Sequence, residues 1–270
     1  MISFNKNLLS IIKSKKSFLI VGLDPNLEKM PVSNIFDFNK EIIDNTYDLV
    51  VGYKPQLAFY ESYGFEGLRA LEKTIDYIKN LPEKKIIIGD CKRSDIDSTS
   101  AAYAKAMFEF WGFDSITVVP FFGTDGIEPF IDRTDKGVFI ICISSNKSGG
   151  QLQDFFSEKE NLTLYEKIAK ISLDLNDKDN IGLVMGATYP DQLKTIRNSV
   201  PDLPFLIPGI GHQQGDLDKV LKNSIIDNPI ILINSSRGII YASSDKYDFG
   251  LKAREKVIEM NIQISQSYSF

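Results

Sequence analysis

The sequence predicts an α/β protein that folds as a single-domain (β/α)8 barrel. Short runs of β-branched and other apolar residues alternate with helical patterns along the chain, and there are eight such runs. This strict alternation indicates parallel strands joined by right-handed crossovers. The chain has 270 residues, a size that suits one closed barrel, and no Pro-, Gly- or Ser-rich linker divides it. We therefore expect residues 1–270 to form one domain.

The predicted strands are near-continuous runs of Ile, Val, Leu and Phe, as expected of parallel strands covered on both faces. They span residues 18–23, 49–53, 85–89, 115–119, 137–143, 181–185, 204–207 and 229–233. A doubly wound open sheet is the competing topology, but it usually has fewer strands. The first turn also reads Gly22-Leu23-Asp24-Pro25 rather than Gly-x-Gly-x-x-Gly, which disfavours a dinucleotide-binding fold.

Segments with helical spacing of apolar residues separate the strands. The spacing is clearest over residues 65–79, 98–110, 162–173 and 216–222. Near the N-terminus, the apolar side chains of Phe4, Leu8, Leu9, Ile11 and Ile12 are spaced as on one face of an amphipathic helix. We expect this N-terminal helix to cover the bottom of the barrel, whereas the tail, residues 262–270, looks polar and frayed.

The composition argues against several classes of protein. Lys and Arg number 31 against 36 Asp and Glu, so the net charge is −5 and a nucleic-acid or membrane-surface partner is not expected. The two distant cysteines, Cys91 and Cys142, and the single histidine, His212, provide no zinc-ligand set, and we expect no bound metal. No apolar run approaches the roughly 18 residues of a membrane span. A cytoplasmic enzyme is expected.

The third predicted strand ends in a row of charges. Three isoleucines and a glycine precede Asp90, Cys91 and Lys92, and Asp95 follows. Because side chains alternate along a strand, Asp90 and Lys92 are expected on one side and Cys91 on the other. Such charges can form a structural ion pair and a helix cap. The alternative is that the carboxylates keep the lysine cationic and directed at a substrate.

This stretch and several others resemble the orotidine 5′-phosphate decarboxylase family, in particular its longer bacterial (type 2) branch. The similar segments are Gly-Leu-Asp-Pro at Asp24, Tyr-Lys-Pro-Gln at Lys54, Asp90-x-Lys92-x-x-Asp95, Ser144-Ser145-Asn146, the stretch from Pro208 to Gln213, and Asn234-Ser235-Ser236-Arg237. Sister barrels share the Asp-x-Lys-x-x-Asp motif. The motifs taken in order, from the first strand to the eighth, make the resemblance specific.

The resemblance implies decarboxylation of orotidine 5′-monophosphate to uridine 5′-monophosphate, the last step of de novo pyrimidine synthesis, without a cofactor. It implies that Lys92 protonates the ring carbon that loses carbon dioxide and that Asp90 lies beside the departing carboxylate. Lys54 and Asp95 would complete an alternating charge network. The resemblance also implies a homodimer with shared active sites, in which Asp95 and Thr99 come from the partner subunit.

Four further residues are assigned to substrate binding by the same resemblance. Asp24 would bind the ribose hydroxyls, Ser145 the pyrimidine edge, and Gln213 and Arg237 the phosphate. The phosphate loop departs from the family pattern, because a small residue is expected at His212 and a glycine at Gln214. We expect the segment 211–216 to act as a lid that closes over the phosphate.

Two other functions stay open at the level of the sequence. One is a magnesium-dependent sugar-phosphate decarboxylase or aldolase of the same superfamily. Those sister barrels typically carry an acidic metal ligand where Lys54 stands, and an ammonium group cannot replace it. The other is a non-catalytic nucleotide-binding barrel. Retention of both Lys54 and Lys92 together with both carboxylates argues against a module that only binds.

Overall fold

The computed structural model describes residues 2–210, 216–226 and 229–270. Its strands are β1 (Leu19–Leu23), β2 (Gly52–Pro55), β3 (Ile86–Arg93), β4 (Ser115–Val118), β5 (Gly137–Ile143), β6 (Phe156–Ser157), β7 (Leu162–Thr163), β8 (Ile181–Met185), β9 (Phe205–Pro208) and β10 (Ile231–Ser235). Eight of them form a closed parallel barrel in the order β1-β10-β9-β8-β5-β4-β3-β2, while β6 and β7 pair as a separate antiparallel hairpin. The predicted (β/α)8 barrel and all eight of its strands are confirmed, with bounds displaced by a few residues.

Helices cover the outside of the barrel between successive strands. They are α1 (Phe4–Lys15), α2 (Ile35–Thr46), α3 (Leu57–Glu61), α4 (Gly64–Lys79), α5 (Asp97–Lys105), α6 (Glu128–Ile131), α7 (Gly150–Gln153), α8 (Leu164–Asp174), α9 (Pro190–Ser199), α10 (Leu217–Ser224), α11 (Arg237–Ile240) and α12 (Phe249–Ser267). The four helices expected from apolar spacing correspond to α4, α5, α8 and α10. The second of these continues beyond Lys105 as a π-helical turn, Ala106–Phe110.

The helix α1 covers the bottom of the barrel, as predicted. The Phe4 amide donates to the carbonyl of Thr134 at 2.9 Å, and the Phe4 ring meets Phe139 of β5 edge to face, with centroids 6.3 Å apart. The side-chain amide of Asn5 donates to the carbonyl of Ile181, the first residue of β8, at 3.3 Å. These contacts tie α1 to the N-terminal ends of two barrel strands.

The C-terminal tail is not frayed, so that expectation was wrong. Helix α12 continues to Ser267, and Ile264 within it is fully buried. Beyond the helix, the rings of Tyr268 and Phe270 lie 5.2 and 4.7 Å from the ring of Phe18, which precedes β1. The isolated apolar residues of the tail are ordered because they cover an aromatic side chain at the bottom of the barrel.

Candidate active site

A cavity of about 490 Å³ opens at the C-terminal end of the barrel, where the polar residues at the strand ends lie. Six residues expected at the site line it: Asp24, Lys54, Asp90, Lys92, Ser145 and Arg237. The lining also contains Gln56, Thr117, Asn234 and Tyr241, to which sequence reasoning gave no role. Gln56 belongs to the Tyr-Lys-Pro-Gln motif, whereas Thr117 lies inside an apolar strand, where no sequence pattern marks it as a site residue.

The Asp90 carboxylate is the centre of the polar network. Two donors contact its Oδ2 atom, the Lys54 ammonium at 2.7 Å and the Gln56 side-chain amide at 2.7 Å. Two more contact Oδ1, the Lys92 ammonium at 2.6 Å and the Thr117 hydroxyl at 2.9 Å. A buried carboxylate is stable only with such partners, and four donors match its capacity of about four lone-pair sites.

The two lysines keep this centre charged. Burial alone would raise the pKa of Asp90, but the adjacent Lys54 and Lys92 ammonium groups outweigh it and hold that pKa well below its usual range. Burial likewise opposes the charge on Lys54, yet Asp90 and Asp24 raise the pKa of Lys54 above its ordinary value. Asp90 is therefore a carboxylate and Lys54 an ammonium at neutral pH.

Lys54 and Lys92 differ in their access to the cavity. The side chain of Lys54 is only 6% exposed, whereas that of Lys92 is 49% exposed. Lys54 is thus enclosed behind Asp90, and Lys92 presents its ammonium to whatever occupies the cavity. The arrangement gives one lysine an electrostatic position and leaves the other free to meet a reacting atom.

A bulge in β3, rather than regular alternation, brings Lys92 back to Asp90. The pairing of β3 with β4 shifts register between Gly89 and Arg93, and Lys92 has a left-handed backbone with φ of 47°. Cys91 points away from the charges, as expected, with its thiol near the Thr117 carbonyl at 3.5 Å. Burial raises the pKa of Cys91 to about 11, so its thiol is unreactive at neutral pH.

Asp24 has one satisfied and one unsatisfied carboxylate oxygen. The Ser236 hydroxyl donates to Oδ2 at 2.6 Å, and the Tyr241 hydroxyl fixes the Asp24 backbone by donating to its carbonyl at 2.8 Å. The Oδ1 atom is buried and has no hydrogen-bond partner among the described residues. Burial raises the pKa of Asp24. An unpaired buried acceptor is costly, so this oxygen suits a hydroxyl group supplied by a ligand.

The other predicted residues divide between the cavity and its surroundings. Ser145 and Arg237 are half-buried in the lining, and the Arg237 guanidinium has no hydrogen bond or ion pair within the described part of the chain. Asp95 and Thr99 do not line the cavity of their own chain, and Asp95 Oδ1 instead accepts from the Ile96 amide at 2.7 Å. Gln213, His212 and the predicted lid, except its last residue, lie outside the described residues.

Fold and site together define the class of protein: a (β/α)8 barrel whose cavity holds a buried carboxylate between two lysines. A model of the orotidine 5′-phosphate decarboxylase / HUMPS family matches residues 17–248. The chain is 42% identical to the orotidine 5′-phosphate decarboxylase of Flavobacterium johnsoniae over 261 residues, covering 94% of each chain. It is 43% identical to that of Dehalococcoides mccartyi (strain CBDB1) over 256 residues, covering 93% of each.

Solved structures agree with these relatives. The chain superposes on the Leishmania donovani OMP decarboxylase with a TM-score of 0.82 and 34% identity, covering 97% of this chain and 100% of that one. The chain belongs to the orotidine 5′-phosphate decarboxylase / HUMPS family.

Proposed function

We infer that this enzyme is an orotidine 5′-phosphate decarboxylase, a carboxy-lyase that converts orotidine 5′-monophosphate to uridine 5′-monophosphate and carbon dioxide. This is the last step of de novo pyrimidine synthesis. The observation that carries the inference is the row formed by Lys54, Asp90 and Lys92, of which only Lys92 opens widely to the cavity. Curated relatives at 42% and 43% identity are decarboxylases of this name.

Lys92 has the position and chemistry of the proton donor. Loss of carbon dioxide from an sp² ring carbon leaves a poorly stabilised carbanion. An ammonium fixed 2.6 Å from Asp90 stabilises that developing negative charge before it transfers its proton to the carbon. The carboxylate accepts hydrogen bonds and so directs the Lys92 side chain at one point in the cavity.

Asp90 and Lys54 maintain the charge balance around the reacting carbon. With its pKa held low, Asp90 stays ionised and lies beside the substrate carboxylate, which departs as carbon dioxide. Lys54 neutralises Asp90 from the buried side at 2.7 Å. Removal of the substrate carboxylate thus relieves repulsion from Asp90, while the positive charge of Lys92 stays in place.

The remaining cavity residues suit the rest of the nucleotide. The Oδ1 atom of Asp24, unpaired among the described residues, accepts from a ribose hydroxyl, and Ser145 bonds the pyrimidine edge. Arg237 binds the phosphate, because its guanidinium, which has no partner among the described residues, matches phosphate oxygens in a bidentate fashion. Gln213 completes the phosphate site in this proposal. Binding energy from the phosphate is then available to position the ring.

The magnesium-dependent alternative gains no support from this site. The Lys54 ammonium lies against Asp90 Oδ2, where a metal-dependent sister barrel would need a further acidic ligand. Over residues 2–210, 216–226 and 229–270, no three His, Cys, Asp or Glu side chains are grouped so that they could hold a metal ion. The reaction proposed here needs neither a metal nor an organic cofactor.

The proposal includes a homodimer with shared active sites, to which Asp95 and Thr99 contribute across the interface. Neither residue lines the cavity of its own chain. The segment that carries them, formed by the loop after β3 and the first turn of α5, packs on the loop after β4 through the Ser100 hydroxyl, which donates to the Gly126 carbonyl at 2.9 Å. These neighbouring loops expose Ile96 (64%) and Phe121 (83%), apolar surface that a second copy of the chain would cover.

The proposal treats residues 1–270 as one decarboxylase domain in the cytoplasm. The first and last barrel strands pair with each other, so the two ends of the chain complete one barrel. Both cysteines are free, as in a reducing compartment. Within the described residues, no helix combines the length and apolarity needed to cross a membrane.

An assay of orotidine 5′-monophosphate turnover tests the function directly. The reaction is monitored by the fall in ultraviolet absorbance as the ring loses its carboxylate. We expect uridine 5′-monophosphate as product and the same rate after exhaustive chelation. A strict magnesium requirement would overturn the assignment. Binding of uridine 5′-monophosphate without any turnover would favour a non-catalytic barrel instead.

A further inference from the structure

Thr117 is a buried residue of β4 whose hydroxyl makes two hydrogen bonds to neighbouring β3. Its Oγ1 accepts from the backbone amide of Lys92 at 3.0 Å and donates to Asp90 Oδ1 at 2.9 Å. The residue is 1% exposed, so water does not readily replace either bond. One hydroxyl group therefore contacts both residues that flank the reacting centre.

The register of the two strands explains why this hydroxyl is needed. Gly89 pairs with Ile116, and the ladder resumes where Arg93 pairs with Val118. Three residues of β3, from Asp90 to Lys92, thus stand opposite Thr117 alone. In that bulge the regular ladder of backbone hydrogen bonds to β4 is interrupted. The Thr117 side chain therefore supplies an acceptor for the Lys92 amide.

The backbone conformation of Lys92 also depends on Thr117. Its φ of 47° lies in the left-handed region, which is unfavourable for a residue with a Cβ atom and persists only where the surroundings enforce it. The hydrogen bond from its amide to Thr117 holds the backbone there. The conformation of that backbone sets the direction in which the Lys92 side chain extends towards Asp90.

We propose that Thr117 is a positioning residue for the decarboxylation, an inference that rests on the function proposed above. Because its oxygen accepts the Lys92 amide, its proton is directed towards Asp90 Oδ1, the oxygen that also binds the Lys92 ammonium. Thr117 thereby fixes both the backbone from which Lys92 extends and the carboxylate that receives its side chain. Lys54 and Gln56 hold the other oxygen, Oδ2.

Substitution of Thr117 by Val removes the hydroxyl and keeps the shape of the side chain. Since misplacement of a reacting group by about 1 Å can cost about 10²-fold in rate, we expect T117V to lower kcat on the order of 10²-fold. The KM for orotidine 5′-monophosphate should change by less than about threefold, because Thr117 has no role in holding the phosphate or ribose. T117S keeps the hydroxyl and should retain kcat within about threefold of the wild type.

Ser115 provides a matched control on the same strand. It is fully buried, and its hydroxyl has no hydrogen-bond partner among the described residues. S115A should therefore leave kcat unchanged. Binding of uridine 5′-monophosphate is measured calorimetrically for each variant and reports whether the site is intact. If T117V does not fold, T117A is used in its place.

The proposal is overturned if T117V keeps wild-type kcat, if T117S loses as much as T117V, or if S115A loses as much as T117V. It is supported if T117V alone loses kcat while still binding the product. Failure of the proposed function would look different, because the wild-type enzyme itself would then show no turnover.

Discussion

Replacement of Lys92 by Ala removes the group that we propose as the proton donor. The structure shows two losses: the ammonium that opens to the cavity, and the contact 2.6 Å from Asp90 Oδ1. Loss of a general acid costs about 10²–10⁴ in rate, and loss of a fixed electrostatic donor about 10²–10³. We therefore expect kcat to fall by at least about 10⁴-fold, measured by single-turnover ultraviolet absorbance.

A lysine of similar exposure outside the site provides the control for this change. Lys178 pairs with Asp132 at 2.8 Å, and its side chain is 42% exposed, close to the 49% of Lys92. K178A should keep full activity, because an exposed ion pair contributes only about 0–1 kcal/mol to stability. K92A should still bind uridine 5′-monophosphate through the phosphate and ribose contacts. A fall of less than about tenfold for K92A would show that this lysine is structural and would refute the mechanism.

Two other predictions concern the phosphate and the partner subunit. If Arg237 binds the phosphate as proposed, Arg237→Ala removes two charge-assisted hydrogen bonds, so kcat/KM should fall on the order of 10²-fold or more and recover in part with added guanidinium. Unchanged kcat and KM would mean that Arg237 does not touch the substrate. Lys54→Ala and Asp95→Ala proteins should each be inactive alone. If they are mixed and exchange subunits, about half of the dimers contain one subunit of each kind. In such a dimer one site carries both substitutions and the other carries neither, so about a quarter of the wild-type sites should be recovered. Exchange confirmed by tag co-purification, with no activity regained, would place Asp95 in the site of its own chain.

Much of the candidate site was predictable because its residues are close together in the sequence or stand at strand ends. Asp90 and Lys92 are two residues apart at the end of an apolar strand, a placement that sequence alone associates with the open end of a barrel. Asp24, Lys54, Ser145 and Arg237 lie at or just beyond the C-terminal ends of other strands, and all of them line the cavity. Parallel strands carry their C-terminal ends to one face, so residues distant along the chain are expected to meet there.

The contacts made by Thr117 and by the tail were not predictable in this way. Thr117 meets Asp90 and Lys92 only because β3 bulges against β4, and a bulge depends on the register of two paired strands. The ring of Phe18 likewise gains its cover from Tyr268 and Phe270, some 250 positions later in the chain. Neither contact leaves a periodic signal in either segment.

The (β/α)8 topology, the polar ends of the strands and the positions of the charged residues can all be predicted from the sequence. These follow from short-range rules, namely strand and helix periodicity and the alternation of side chains. The sequence does not show which lysine is enclosed and which is open, because burial depends on everything packed around a group. In the folded chain, the Lys54 side chain is 6% exposed and that of Lys92 is 49% exposed. That difference, set by long-range packing, underlies the separate roles that we propose for the two lysines.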